Sequence, residues 1–319
     1  MQKTKIWSLG DAVVDLLPLE NRQYQACAGG APANVAIGIA KLGNPSGFIG
    51  RVGDDPFGHF MQETLASYGV DCQSIEFDPV VKTSTVVVDL GKNGERSFTF
   101  LVSPSADQFL SEQALPDFGQ DILHFCSLAL VGHVGRATLK EAINKLKAKS
   151  GQISFDINLR EQMWADKQEM RDTISHFAQN ATILKLSDEE LFWLTESQDW
   201  DIALEKLDAH YKAELKVITK GGEGSIVLWN GKQYQYAAYK VKSIDTTGAG
   251  DAFVAGLLSS IAVSDLPDSQ LALDSMVSIA SACGALATTE KGALTALPSS
   301  QFLQEFIAEN KTLDGILKR

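Results

Sequence analysis

The sequence is poor in the residues that build metal and redox sites. Its 319 residues include only four cysteines and five histidines. Cys27, Cys72, Cys126 and Cys283 are far apart, with no CxxC pair and no histidine cluster beside them. A zinc site or redox dithiol is not expected, and so few thiols in a long chain suit a reducing cytoplasm. Basic residues are also in deficit: 28 Lys and Arg stand against 40 Asp and Glu, for a net charge of −12 and a pI near 4.9. That balance argues against nucleic acid or an anionic membrane as partner, since either would want a basic face. A phosphorylated ligand stays possible, because a local pocket can be positive on an acidic protein. The N-terminal stretch reaches Asp11 and Asp15 before a signal-peptide core can form. No apolar run approaches the ~18 residues of a membrane span. The expectation is a cytoplasmic protein.

What is present is ordinary core-forming composition, 45% hydrophobic and 21% charged. "KIWSLG" reads as a buried strand and "PANVAIGIAKLG" as a helix stopped by Gly43. "GFIGRVG" is a strand, and "DPFGHFMQETLASYG" a helix with Pro56 in its first turn. From "ILHFCSL" to "LKVITK", strand and helix patterns alternate, the mark of a mostly parallel, doubly wound α/β sheet with helices on both faces. "SIVLWNGKQYQY" is a hairpin around Asn230-Gly231, and the rest of the chain is mostly helical. Between Thr83 and Val102, two β-rich runs flank an Asn93-Gly94 turn. They predict a small extra sheet, to which "LPLENRQYQACAG" adds strands. One domain spans residues 1–319, with the small sheet drawn from about 12–28 and 76–103.

Chemistry concentrates in two places. In "DTTGAGDAFVAG", Gly248, Ala249 and Gly250 open a helix, where bare backbone N–H groups and the helix dipole can cradle an anion. Asp251 follows in the first turn. It is either an acidic helix cap or a base acting where a phosphoryl group arrives. No GxxxxGK[ST] occurs, and "GAGDAF" lacks the third glycine of a dinucleotide fingerprint. "TKGGEG" is a plain turn or a loop along a nucleotide. "SDEE" is a capping box, or it lets Asp188 or Glu190 hold water around Mg²⁺.

The second place is "LGDAVVD" with "CAGGAPANVA". Asp11 falls at a strand's carboxyl end, where a carboxylate can accept from two neighbouring sugar hydroxyls. Gly29 and Gly30 let backbone approach a ligand, and Asn34 offers a donor and an acceptor; capping and turning are the alternatives. "FDINLR" sets Asp156, Asn158 and Arg160 past another strand, Arg160 being a phosphate clamp or a surface residue.

"GGAPANVA", "RVGDDPFG", "DINLR", "SDEEL", "TKGGEG" and "DTTGAGDAFVAG", in that order, resemble the ribokinase-like carbohydrate kinase family, also called the phosphofructokinase B group. The resemblance covers nearly the whole chain. It is strongest to fructokinases, with aminoimidazole riboside kinases similar throughout, including "GERSFTFLV". It implies ATP-dependent phosphorylation of a sugar's primary hydroxyl, D-fructose to fructose 6-phosphate. Alternatives are aminoimidazole riboside, 2-keto-3-deoxygluconate, or a non-catalytic sensor on the same fold. The small sheet becomes a lid over the sugar and a possible dimer surface. Asp251 is implied as base and Gly248, Ala249 and Gly250 as anion hole. Asp11, Gly29, Gly30, Asn34, Phe98, Asn158 and Arg160 fall on the sugar side. Lys185, Ser187, Thr219, Gly221, Gly224 and Ser281 fall with ATP, and Glu190 with Mg²⁺ through water. Asp245, Thr247, Ala287, Glu290 and Gly292 match a monovalent-cation loop pair that implies K⁺. The chain departs twice: Ser187 replaces the usual Asn, and Ala296 stands where ribokinases have a serine, so that one oxygen ligand is either lost or replaced by Thr295.

Overall fold

The computed structural model describes residues 4–90 and 96–311. The chain begins with β1 (Ile6–Leu9), β2 (Val13–Pro18), β3 (Tyr24–Gly29), α1 (Ala31–Lys41), β4 (Ser46–Gly53), α2 (Pro56–Ser67) and β5 (Asp71–Asp78). It continues through β6 (Thr85–Leu90), β7 (Arg96–Phe100), β8 (Ile122–Cys126), α3 (His133–Lys147), β9 (Gln152–Asp156), α4 (Lys167–Ala178) and β10 (Ile183–Ser187). Then come α5 (Asp188–Thr195), α6 (Trp200–His210), β11 (Leu215–Thr219), β12 (Ser225–Trp229) and β13 (Lys232–Tyr236). The helices α7 (Ala249–Ser264), α8 (Gln270–Ala287) and α9 (Ser300–Lys311) close the chain.

The nine-stranded sheet runs β13-β12-β11-β10-β9-β8-β1-β4-β5. Its strands are parallel from β5 to β11, and β12 and β13 add an antiparallel edge. Neighbouring residues of one strand serve opposite cores, because side chains alternate along a strand. Ile122, Ile183 and Val217 pack with α7 and α8, whereas Leu123, Leu184 and Ile218 pack with α3 to α6. Both faces are thus covered, the condition a parallel sheet needs. Asn230 and Gly231 (φ 50° and 68°) make the tight turn between β12 and β13 that their identity predicts.

A separate four-stranded sheet runs β3-β2-β6-β7. Its hairpins are Val13–Gly29 and Thr85–Phe100, a shorter second segment than 76–103, because β5 belongs to the large sheet through its pairing with β4. The Asn93-Gly94 turn and the side chain of Phe98 lie outside the described residues. The hairpin's root is held by the "RVGDDPFG" stretch. Asp55 caps α2 through the amides of Phe57 and Gly58 (3.1 and 3.0 Å) and also accepts from the amide and hydroxyl of Thr83 (3.0 and 2.8 Å).

Three sequence expectations need correction or addition. Strand β5 was not foreseen: its acids dilute the apolar pattern, and they are neutralised only in three dimensions. Lys5 pairs with Asp71 at 2.6 Å, and Arg51 with Glu76 and Asp78 at 3.0 and 2.9 Å. Helix α6 was also passed over, although Asp199 caps it by accepting the Ile202 amide at 3.0 Å. Finally, α8 is long and apolar enough, by length and composition alone, to cross a membrane. Its Leu273, Met276, Val277 and Ala280 are buried in the core against α7 instead.

Candidate active site

The order β8-β1-β4 makes β1 a switch point, with later strands departing on both sides. Open α/β sheets place ligands at the carboxyl ends of strands at such a point. Here a cavity of about 270 Å³ opens beyond the ends of β1, β8, β9 and β10, with the N-terminus of α7 at one side. The small sheet supplies another wall through Val13, Asp15, Val86 and Phe100. Asp11, Gly30, Asn34, Asn158, Arg160, Lys185, Ser187, Glu190, Thr247, Gly248, Gly250 and Asp251 all line this one space. The sequence separates these residues widely, and the fold collects them.

Asp251 is 8% exposed and does not cap α7. The N-cap is Gly248, which has no side-chain cap, and a methyl placed there would come 2.8 Å from the Ala293 methyl. The Asp251 carboxylate instead accepts the Asn34 side-chain amide at 2.8 Å. Burial raises its pKa, and the Asn34 hydrogen bond, Lys185 and Arg160 pull it back. A carboxylate raised but still surrounded by such partners suits a general base.

Asp11 is 5% exposed, and burial, reinforced by Asp107 and Asp251, pushes its pKa up to about 7. Gly30 begins α1 with φ +97°, and a Cβ there would meet the Asp11 carbonyl at 2.5 Å and Oδ2 at 3.1 Å. Only glycine fits so close to that carboxylate. Gly29 does not line the cavity; a side chain there would collide with the Asp15 carboxylate. Asn158 lines the cavity with φ +39° and directs its amide at the Cys126 sulfur, 3.9 Å away. Arg160 is exposed at the rim and donates to the Leu159 carbonyl at 2.9 Å.

Lys185 is the cavity's buried cation. Its Nζ bonds both Asp156 oxygens at 3.1 and 3.0 Å, and lies 3.4 Å from where a Cβ on Gly250 would sit. Burial works against the ammonium, but Asp156, Glu190 and Asp251 outweigh it and raise its pKa above the ordinary lysine value. It is therefore a fixed positive charge beside the helix N-terminus. Glu190 completes a capping box with Ser187, and its other oxygen accepts the Leu159 amide at 2.7 Å. Each of its oxygens accepts one backbone amide, and a carboxylate oxygen has a second lone pair, so Glu190, lining the cavity, can still orient water around Mg²⁺. Asp188 accepts the Glu189 amide at 3.0 Å and lies off the cavity lining.

The remaining expected residues flank the cavity without lining it. Thr219 ends β11 and reaches the Leu186 carbonyl at 3.4 Å, while Gly221 and Gly224 bound a short turn beyond it. Ser281 lies on α8, which runs so close to α7 that a Cβ on Gly284 would be 3.2 Å from the Ala249 carbonyl. Asp245 ties the two loops expected to hold a cation. It accepts from Thr247 N and Oγ1 (3.0 and 2.7 Å) and from Gly292 N (2.9 Å). At the end of α8, Thr288 and Thr289 take the carbonyls of Ala285 and Leu286. The Ala287 carbonyl ends α8, at a helix C-terminus that favours positive charge. Thr295 Oγ1 lies 3.5 Å from where a Gly292 Cβ would sit, in the same loop as Ala296, whose side chain offers no oxygen. These oxygens fit a monovalent cation.

Sequence reasoning missed Asp15, Val86, Cys126, Leu128 and Gln162 as cavity walls. Asp15 and Val86 sit on the small sheet, and nothing local marks which of its residues face a ligand.

A model of the pfkB family carbohydrate kinases matches residues 3–300. The chain is 48% identical to the fructokinase of Klebsiella pneumoniae, over 94% of this chain and 98% of that one. It is 38% identical to the aminoimidazole riboside kinase of Salmonella typhimurium, over 96% of each. Among solved structures, a double-mutant fructokinase from Vibrio cholerae O395, in a form with fructose, ADP and potassium ion bound, superposes with a TM-score of 0.90. That protein is 46% identical, over 96% of this chain and 99% of its own. A family match across most of the length, on the fold and cavity its motifs predict, makes this chain a member of the pfkB carbohydrate kinases.

Proposed function

We propose that Asp251 takes the proton from the 6-hydroxyl of D-fructose as the γ-phosphoryl group of ATP arrives at the N-terminus of α7. The protein is an ATP-dependent fructokinase. The observation that carries the role of Asp251 is its hydrogen bonding: a buried carboxylate at a helix start that caps nothing and faces the cavity. Asp11 accepts sugar hydroxyls, and Val13, Val86, Phe100 and Leu128 cover the apolar face of the sugar. With both reactants bound, the small sheet acts as a lid that keeps water from the phosphoryl group. The amides of Gly248, Ala249 and Gly250 meet charge that develops during transfer, and Lys185, beside Gly250, adds a fixed positive charge. Mg²⁺ bound with the nucleotide supplies further charge neutralisation, with Glu190 the residue that would orient its water. K⁺ between the loops at Asp245 and Gly292 would steady the anion hole. Thr219, Gly221, Gly224 and Ser281 take the adenosine side.

The four cysteines are unpaired, which supports a cytoplasmic enzyme. The open edges of the small sheet at β3 and β7 are the surface for a homodimer, and the acidic net charge argues against nucleic acid. A riboside kinase uses the same chemistry on another sugar. A coupled ADP-release assay across fructose, ribose, 2-keto-3-deoxygluconate and aminoimidazole riboside tests the substrate. Fructose should give the highest kcat/KM; preference for the riboside would overturn the reading.

A further inference from the structure

We infer that Arg51, which does not line the cavity, is a positioning residue for the reaction, because it fixes both connections of the lid's second hairpin. This rests on the small sheet acting as a lid. The β6–β7 hairpin brings Val86 and Phe100 to the cavity wall. The chain leaves the large sheet after β5 through residues 79–84 and returns from β7 through residues 101–110. Isolated hairpins are marginal, so the placing of these two side chains depends on the connections.

Arg51 pairs in register with Glu76 of β5, and its guanidinium forks between two acids. Nε donates to Asp78 at 2.9 Å, and a terminal nitrogen donates to Glu76 at 3.0 Å. Each acid in turn holds one connection. Asp78 accepts the amides of Val80 and Val81 at 2.8 and 2.9 Å, where the chain departs. Glu76 accepts the amide of Ser111 at 3.0 Å, together with its hydroxyl, where the chain returns. Between them, the Ala106 amide donates to the Lys82 carbonyl at 3.0 Å and joins the two segments. A brace between β4 and β5 would need one oxygen of each acid. The second oxygen of each goes to a connection instead. The side chains of Arg51, Glu76 and Asp78 are 21, 20 and 7% exposed, so these charge-assisted bonds are partly shielded from water and salt.

Arg51→Met removes the fork, and Arg51→Lys keeps a charge but loses the paired geometry. A displaced lid admits water, whose oxygen takes the γ-phosphoryl group in place of the sugar's, giving ADP and inorganic phosphate. In a variant that folds by circular dichroism, the KM for fructose should rise about tenfold while that for ATP changes less than about twofold. The ADP released per fructose 6-phosphate formed should exceed the wild-type ratio. A brace alone would lower the melting temperature and leave both readouts at wild type. Failure of both variants to fold, or a folded variant with either readout unmoved while Phe100→Ala raises the fructose KM, would overturn this inference alone. If Phe100→Ala leaves that KM unchanged, the lid reading fails and this inference with it.

Discussion

One oxygen of Asp245 accepts the Gly292 amide at 2.9 Å, while its other oxygen holds the amide and hydroxyl of Thr247. A single carboxylate thereby links the loop after α8 to the residue that precedes the anion hole. Gly248 packs against Ala293 on the same seam. The amides proposed to receive the phosphoryl group are thus only as well placed as these two loops.

Potassium should therefore raise kcat more than sodium, and Asp245→Ala should abolish the difference. Initial rates in potassium, sodium and tetramethylammonium chloride check this. Equal rates in all three would remove the cation from the account.

Asp251→Asn keeps the shape of the side chain and removes the base. General-base catalysis typically contributes ~10²–10⁴-fold, so kcat should fall by at least that lower figure while ATP affinity changes little. Because Asp251 is buried and caps nothing, the fold should persist. Retention of more than a tenth of kcat in a steady-state assay would refute the role.

Asp11 sets function against stability. Its folded pKa of about 7 lies above its ordinary value of 3.8, so the folded state binds more protons between them. Stability from this group is therefore lost as pH rises through that window, and its full cost is present above pH 7. Asp11→Asn should melt about 2 °C or more higher than wild type at pH 8, with little difference at pH 4. It should lose fructose binding at both. Thermal melts and calorimetry with fructose read the two effects separately; an advantage over wild type no larger at pH 8 than at pH 4 would contradict the sign.

Lys185→Met retains the aliphatic stem and drops the charge. It leaves Asp156 buried without its ion-pair partner, a loss that typically costs about 3–5 kcal/mol. Adding Asp156→Asn should recover most of that stability. It should not recover kcat, which should stay down by about 10²-fold or more, as for removal of one transition-state donor. Denaturant melts and kcat on both variants test this, and restored activity in the double variant would make the pair purely structural.

The sequence by itself determined the local elements, because each is written by constraints that act over a few residues. Alternation along a strand separates Ile122 from Leu123 into different cores. Asp55 and Ser187 announce helix starts, and Asn230-Gly231 announces a hairpin. The motifs around Gly30 and Gly248 also marked both halves of the cavity. Where a signal was charged rather than apolar, as in β5, it misled, since Lys5 and Arg51 neutralise those acids only after folding. Tertiary structure alone decided that Asp251 binds Asn34 and not its own helix, that Lys185 pairs with Asp156, and that Val86 and Phe100 wall the cavity. Those distances depend on how α1 crosses α7 and how two sheets meet, which many weak contacts between distant segments set together.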